Sequence, residues 1–390
     1  MALRSYSHRG ITIRCVCTSH KAHSTQHTHA HLTHPSLPIH STQVPVKAPK
    51  TYYAERCDQS CNYIIITERL NYATSEQHPR GVKANLPPYQ LQRAFSKFHD
   101  HYLATDPSEY YHVLVRKQGA LAGWYKSDPL RAAELNTVFP TVYGAGGAFS
   151  GGGGGQSGGL VLAMKQFDHF LEFLRECVPQ LLPPEVTTPS ALKQLRLQYE
   201  HLHTSLYNKM REHVVTNPDY MAIGHTNLNI DNAYWWRDGE GTLDAGLIDW
   251  ANFSIQEVSN TLDMSLFSAG SAVMEAEQTN LLKGFIESYH ASGGPLLDLS
   301  ELSLRFDMTL AFSLGGQAGV PPQLYKRIKK DEWKGVKDMR TDERVDGDTD
   351  SAFLVRSYLG NLLYRVRRWK VDDVYEKLCK WAGEARKDKV

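Results

Sequence analysis

The chain has 390 residues, 41% apolar and 22% charged. That composition supplies a substantial core and excludes both a fibrous repeat and disorder from end to end. The formal net charge of +1 hides an asymmetry: residues 1–50 carry six Lys or Arg and no acid, while the remaining 340 carry 37 basic and 42 acidic side chains. A mildly acidic body disfavours a uniformly basic nucleic-acid binder. No segment approaches the ~18–20 consecutive apolar residues of a membrane span, and none reads as a secretory apolar region. A soluble, cytoplasmic protein without nucleic-acid or membrane partners is expected, and nothing in the sequence sets an oligomeric state. Six cysteines are too sparse for a disulfide scaffold, and the Cys15, Cys17 and Cys57, Cys61 spacings read as reduced thiols.

In chain order, the first fifty residues hold eight of the eighteen histidines, His27, His29 and His31 among them, mixed with Ser, Thr and Pro and without apolar periodicity. They read as a disordered leader. Arg4, Arg9 and Arg14 in an acid-free start also fit a mitochondrial or plastid transit segment, and a mis-extended start is a third reading. Tyr63-Ile64-Ile65-Ile66-Thr67 is β-branched and aromatic enough for one buried strand. Asp106-Pro107-Ser108-Glu109 predicts a helix start, with Asp106 as cap, Pro107 at the first position and Glu109 closing a capping box. Tyr110, Leu114, Leu121 and Trp124 then share one face. Gly144 to Gly159 contains ten glycines in sixteen residues but lacks the Gly-Lys-Ser/Thr of a phosphate-binding loop, so it reads as a flexible insertion. A second helix follows Ser190, with Leu192, Leu195, Tyr199, Leu202, Leu206 and Met210 at steps of three and four.

The most informative stretch begins at Gly224. Ala233–Arg237 and Thr242–Ile248 are strand-like, and Asp238-Gly239-Glu240-Gly241 between them is turn chemistry. The hairpin so formed brings Asn232 and Asp249 to its open end, two oxygen donors suited to a hard cation such as Mg²⁺. Trp235 and Trp236 read as packing residues. Beyond the hairpin, Thr261–Ala272, Leu302–Leu314 and Ser351–Trp381 show helical periodicity. The basic run from Lys326 to Lys337 is followed by six acids and two basics over Asp338–Asp350, which suggests a solvated, self-neutralising loop.

HTNLNIDN at 225–232 and LIDW at 247–250 resemble the aminoglycoside-phosphotransferase and choline-kinase-like superfamily, relatives of the protein kinases. That family carries His-Gly-Asp, four residues, Asn, then a hairpin ending in Ile-Asp-Trp or Ile-Asp-Phe. The resemblance spans about residues 51–385 and is specific around 225–249. It implies an α+β, protein kinase-like fold: a disordered leader over 1–50, a truncated N-terminal lobe and inter-lobe connection over 51–105, and a helical C-terminal lobe over 106–385 that carries the hairpin. It implies ATP and Mg²⁺ as cofactors and a small-molecule hydroxyl or amino acceptor. It also implies Asn232 and Asp249 as metal ligands, His225 as the loop's brace, and backbone near Glu68 and Leu70 facing adenine. Asp263 stands where the family has an aspartate of structural role.

Two departures bear on activity. Asn227 occupies the place of the catalytic Asp, and an amide does not take up a proton at neutral pH. Asp231, beside a proposed metal ligand, is the alternative base, so His225, Asn227 and Asp231 form the candidate catalytic set. The second departure is the missing phosphate grip: Val44-Pro45-Val46-Lys47 mimics the kinase strand that carries the nucleotide Lys, yet only twenty residues separate Lys47 from Glu68. That interval leaves no room for a helix bearing a partner Glu, so Lys47 reads as a solvent-facing side chain. The expected function is a divergent phosphotransferase, and the alternative is a catalytically inactive kinase-like (pseudokinase) ligand-binding or interaction protein.

Overall fold

The computed structural model of the chain describes residues 2–8, 11–17, 44–57, 62–68, 107–139, 141–142, 157–250, 253–317, 319–339, 342–346, 350–371 and 373–387. Asp106, Leu70, Cys61, the histidines from His27 to His31 and most of the Gly144–Gly159 run lie outside them. The architecture is α+β with a helical majority and small sheets. No helix among the described residues is long and apolar enough to cross a membrane.

Four strands come first: β1 (Ala2–His8), β2 (Ile11–Cys17), β3 (Thr51–Cys57) and β4 (Asn62–Glu68). They form one antiparallel sheet in the order β1-β2-β4-β3, with Ile13 opposite Ile66 and Ala54 opposite Ile65. The expected strand at Tyr63–Thr67 is therefore central. The leader departs from expectation, because residues 2–8 and 11–17 are paired strands rather than irregular chain. Their β-branched and aromatic content suits a sheet; β1 pairs with its neighbour β2, while the pairing of β2 with β4 spans some fifty residues, which no local pattern announces.

Next come α1 (Ser108–Lys126), α2 (Pro129–Val138), the two-residue β5 (Thr141–Val142), α3 (Ser157–Glu176), α4 (Pro184–Thr187), α5 (Pro189–His201) and α6 (Tyr207–Thr216), with a π-helical turn at Leu202–Leu206 joining the last two. The face of α1 predicted from Tyr110, Leu114, Leu121 and Trp124 is buried, as are all six residues of the stripe that starts at Leu192. The predicted cap, Asp106, lies outside the described residues; Pro107 is the N-cap of α1 with no side-chain cap bond, and the Glu109 carboxylate takes two bonds from Arg237 at 2.9 and 2.5 Å. Helix α3 takes in the last residues of the expected loop, Ser157, Gly158 and Gly159, and its Phe167, Phe170 and Phe173 are fully buried.

Strands β6 (Met221–His225), β7 (Ala233–Arg237), β8 (Leu243–Leu247) and β9 (Phe253–Glu257) follow, with β7 and β8 forming the predicted hairpin. β6 pairs antiparallel with β9, and β5 pairs parallel with β9 on its other edge. The chain then finishes in helices: α7 (Val258–Ser265), α8 (Ser271–Ala291), α9 (Leu299–Gln317), α10 (Pro321–Tyr325), α11 (Glu343–Asp346), α12 (Asp350–Val371) and α13 (Val374–Ala382). The basic run is not all solvated loop, since Trp333 inside it is fully buried and donates from Nε1 to Ile328 O at 3.0 Å.

Two apolar clusters result. One gathers α1, α8, β6, β9 and the hairpin; the other gathers α3, α5, α6, α9, α12 and α13. A buried polar seam lies near their meeting: Asp263 of α7 accepts two bonds from Arg365 Nη2 at 2.7 and 2.6 Å, and Arg365 Nε donates to Asn361 Oδ1 at 2.6 Å. Removing either partner of such a pair strands a buried charge. In the first cluster α1 and α8 touch backbone to backbone. A Cβ on Gly119 would stand 2.6 Å from Phe285 O, and one on Gly123 would stand 2.2 Å from Tyr289 O. Gly123→Ala should therefore cost about 1–3 kcal/mol of unfolding free energy, outweighing the ~1 kcal/mol helix-propensity gain of Ala. Urea denaturation would read this against Gly239→Ala, whose Cβ would enter open space and should change stability by less than about 0.5 kcal/mol. Equal midpoints for the two variants would contradict the close approach.

Candidate active site

The site is assembled where β6 ends. All five residues of β6 are buried, so its last residue, His225, enters a loop whose polar groups must find partners inside the protein. Gln118 of α1 meets both backbone groups of that residue: its Oε1 accepts from His225 N at 3.2 Å, and its Nε2 donates to His225 O at 2.7 Å. The same amide nitrogen reaches Ser265 Oγ of α7 at 3.2 Å. Gln118 is the residue that sequence reasoning missed. Its signal was a polar side chain within the apolar stripe of α1, four residues after Leu114.

The His225 ring is fully buried, and both nitrogens are used. Nδ1 accepts from Asn227 N at 3.2 Å, which assigns the proton to Nε2, and Nε2 donates to Ile248 O at 2.9 Å. The imidazole thereby bridges the loop after β6 to the segment after β8. Burial pushes its pKa below the usual histidine value, offset in part by the bond to Ile248 and by the charge of Asp249, so the ring is held neutral. Trp250 lies against it with ring centroids 5.0 Å apart.

Three asparagines shape the loop around that bridge. Asn227 O accepts from Asn229 N at 2.9 Å and from Asn232 Nδ2 at 2.6 Å, and Asn227 Oδ1 accepts from Asn229 Nδ2 at 3.3 Å. Ile248 N donates to Asn232 O at 3.0 Å, closing the hairpin's base from the other side. Asn227 Nδ2 then crosses to Asp249 Oδ2 at 3.0 Å. Asp249 sits at φ 59°, in the left-handed region that Asp and Asn tolerate better than other side chains with a Cβ. His225, Asn227, Asn232 and Asp249, separated by up to 24 positions in sequence, thus form one hydrogen-bonded unit. Asp231 shares the 3-10 turn with Asn232 and is 2% exposed, whereas Asn227 and Asp249 are half-buried.

Helix α1 fastens the hairpin that carries this unit. Glu109 pairs with Arg237, Lys117 Nζ with Asp244 Oδ1 at 2.5 Å, and Tyr110 meets Trp235 edge-on at 4.8 Å. Trp235 is buried and donates to Ile230 O at 3.2 Å, in line with its reading as a packing residue. On the hairpin's outer side Leu247 N donates to Lys47 O at 2.8 Å, and the exposed Lys47 holds its ammonium 4.5 Å from the centre of the Trp236 ring. Glu68, at the end of β4, is tied to Lys50 twice: its N–H donates to Lys50 O at 2.8 Å and its carboxylate accepts from Lys50 N at 2.9 Å. Leu70 lies outside the described residues.

The donor set fits a hard divalent cation. With the Asn232 amide nitrogen committed to Asn227 O, the atom it offers is the oxygen, and the same Asn227 bonds the Asp249 carboxylate through its side chain. Asn229 Oδ1 adds a buried acceptor with no hydrogen-bond partner. No cluster of three or more His, Cys, Asp or Glu suited to a metal occurs among the described residues. Such a site would rely on phosphate oxygens to complete the octahedron that Mg²⁺ prefers.

No protein-family model matches the chain, and no curated protein matches it at a significant level. Solved structures similar to it include a macrolide 2'-phosphotransferase type I, at 12% identity over 70% of this chain and 67% of that one with a TM-score of 0.31. A second is the spectinomycin phosphotransferase APH(9)-Ia in complex with ADP and spectinomycin, at 11% identity over 89% and 85% with a TM-score of 0.36. A third is a microcompartment-associated aminopropanol kinase, at 10% identity over 96% and 94% with a TM-score of 0.38. All three are named as phosphotransferases or kinases. At TM-scores this low the likeness carries none of the residue assignments, which stand on the loop geometry.

The buried imidazole has a pH consequence. Because the folded-state pKa of His225 lies below its unfolded value near 6.5, the unfolded chain binds the extra proton first. The stability supplied by the neutral ring is whole above about pH 6.5 and is lost as pH falls below it. Burial lowers His203 in the same direction, and Glu257, pushed up to about 6 by burial, acts oppositely; both cancel in a comparison of variants. Chemical denaturation from about pH 7.5 to about pH 5 should show the wild type losing stability more steeply than His225→Gln. Parallel pH profiles would contradict the neutral bridge.

Proposed function

We propose that the chain is a kinase-like phosphotransferase that moves the γ-phosphate of ATP to a hydroxyl or amino group of a small molecule. The observation that carries this reading is the hydrogen-bonded unit of His225, Asn227, Asn232 and Asp249 at the base of one hairpin. Asn232 and Asp249 would hold Mg²⁺, whose charge, when bound with ATP, offsets the charge of the transferring phosphoryl group. His225 fixes the loop, and Asn227 or Asp231 would orient the acceptor. Asn227 is half-buried and Asp231 almost fully buried, which favours Asn227 in that role. The sheet β1–β4 would serve as a reduced N-terminal lobe, with adenine facing the backbone that follows Glu68 toward Leu70. The N–H of Glu68 is already donated to Lys50.

Loss of a general base is typically worth about 10²–10⁴-fold. An amide at 227 is therefore compatible with slow transfer, because positioning and charge neutralisation supply much of the rate. A second reading, a kinase-like ligand-binding or interaction protein without turnover, is favoured by the amide at 227, which has no carboxylate to take up the acceptor's proton. Phosphate transfer from [γ-³²P]ATP to a panel of hydroxylated and amino metabolites separates the two. Transfer that falls by at least about 10²-fold in Asp249→Ala is the expected result. Transfer indifferent to Asp249→Ala would rule out this site. Absence of transfer, combined with Mg²⁺-dependent stabilisation by ATP that Asp249→Ala removes, would establish the second reading.

A further inference from the structure

Resting on that metal reading, we infer that Asn227 is a positioning residue that holds the Asp249 carboxylate in place without metal and sets how readily a divalent cation binds there. The carboxylate needs a partner in either state. It is half-buried on a backbone in the left-handed region, and its neighbour Ile248 is fixed through both backbone groups, N–H to Asn232 O and O to the His225 ring. Asn227 Nδ2 supplies that partner at 3.0 Å. The amide is itself aimed, since Asn229 Nδ2 binds its oxygen at 3.3 Å and thereby turns its nitrogen toward Asp249. The backbone oxygen of Asn227 binds Asn232, the second proposed ligand. One residue thus touches both metal donors.

The chemistry follows from charge. An amide offers a proton to the carboxylate and adds no negative charge, so the metal-free carboxylate already has a partner, and a cation shares or competes for the electron density that this bond draws on. A carboxylate at 227 would reverse both effects. Two carboxylates at this separation repel each other, destabilising the metal-free protein, while a divalent cation would relieve the repulsion and bind more tightly.

The test measures melting temperature of the full-length protein in chelator and across a Mn²⁺ titration, with and without ADP, for wild type, Asn227→Asp, Asp249→Asn and the double exchange. Asn is well tolerated at the left-handed position 249, so the double exchange rebuilds the same amide–carboxylate bond in reverse. The inference predicts that Asn227→Asp melts a few degrees below wild type in chelator, that the double exchange restores the loss, and that Mn²⁺ raises Asn227→Asp more than wild type. Equal melting of wild type and Asn227→Asp in chelator, or equal Mn²⁺ responses that both disappear in Asp249→Asn, would overturn the role of Asn227 and leave the metal site standing. No Mn²⁺ response in any variant, with or without ADP, would overturn the metal site and this inference together.

Discussion

One neutral imidazole joins the two chain segments from which the site is made. His225 ends a fully buried strand, accepts from the loop that follows at Nδ1, and donates from Nε2 to Ile248, the residue just before Asp249. A protonated ring would have no acceptor left for the Asn227 N–H and would bring an uncompensated charge into the interior, so burial and bonding select the same protonation state. Once that bridge is set, Asp249 and Asn232 are presented at the hairpin base with their positions fixed by backbone bonds rather than by flexible side chains alone. Preorganisation of this kind is what lets a small donor set bind a charged ligand without a large ordering cost.

Helix α1 carries the bridge. Its Gln118 matches both backbone groups of His225, its Glu109 and Lys117 hold opposite strands of the hairpin, and its Gly119 and Gly123 allow backbone contact with α8 behind it. A single element thus transmits the rigidity of the first apolar cluster to the loop. The ion pairs at its exposed rim are individually weak, whereas the bonds from Gln118 lie in the interior, where an unmade bond is costly.

The parts of this arrangement that a sequence exposes are those encoded locally. The Asp238–Gly241 turn marked the hairpin and its open end, where Asn232 and Asp249 stand, whereas His225 entered only through the resemblance. The stripes on α1 and α5 followed from helical periodicity. What escaped was set by tertiary partners. Glu109, read as part of a helix start, pairs with Arg237, 128 positions away, a partner that no local pattern names. Strand β2 pairs with β4 some fifty residues further along the chain. Helix α3 has clear periodicity through Met164, Phe167, Phe170 and Leu174, but it adjoins a glycine run that reads as loop. Asn227 was legible as a departure from the family pattern; its bond to Asp249 was not, because the direction of a side chain across a hairpin depends on the backbone at 249.

In the proposed function the imidazole bridge presents Asn232 and Asp249 as a metal pair for a bound nucleotide. Anomalous diffraction from crystals of the protein grown with Mn²⁺ and ADP tests it most directly. The expected result is a manganese peak within bonding distance of an Asp249 carboxylate oxygen and Asn232 Oδ1, with His225 Nε2 still directed at Ile248 O. Nucleotide density with manganese bound elsewhere, or a His225 ring turned away from Ile248, would contradict it.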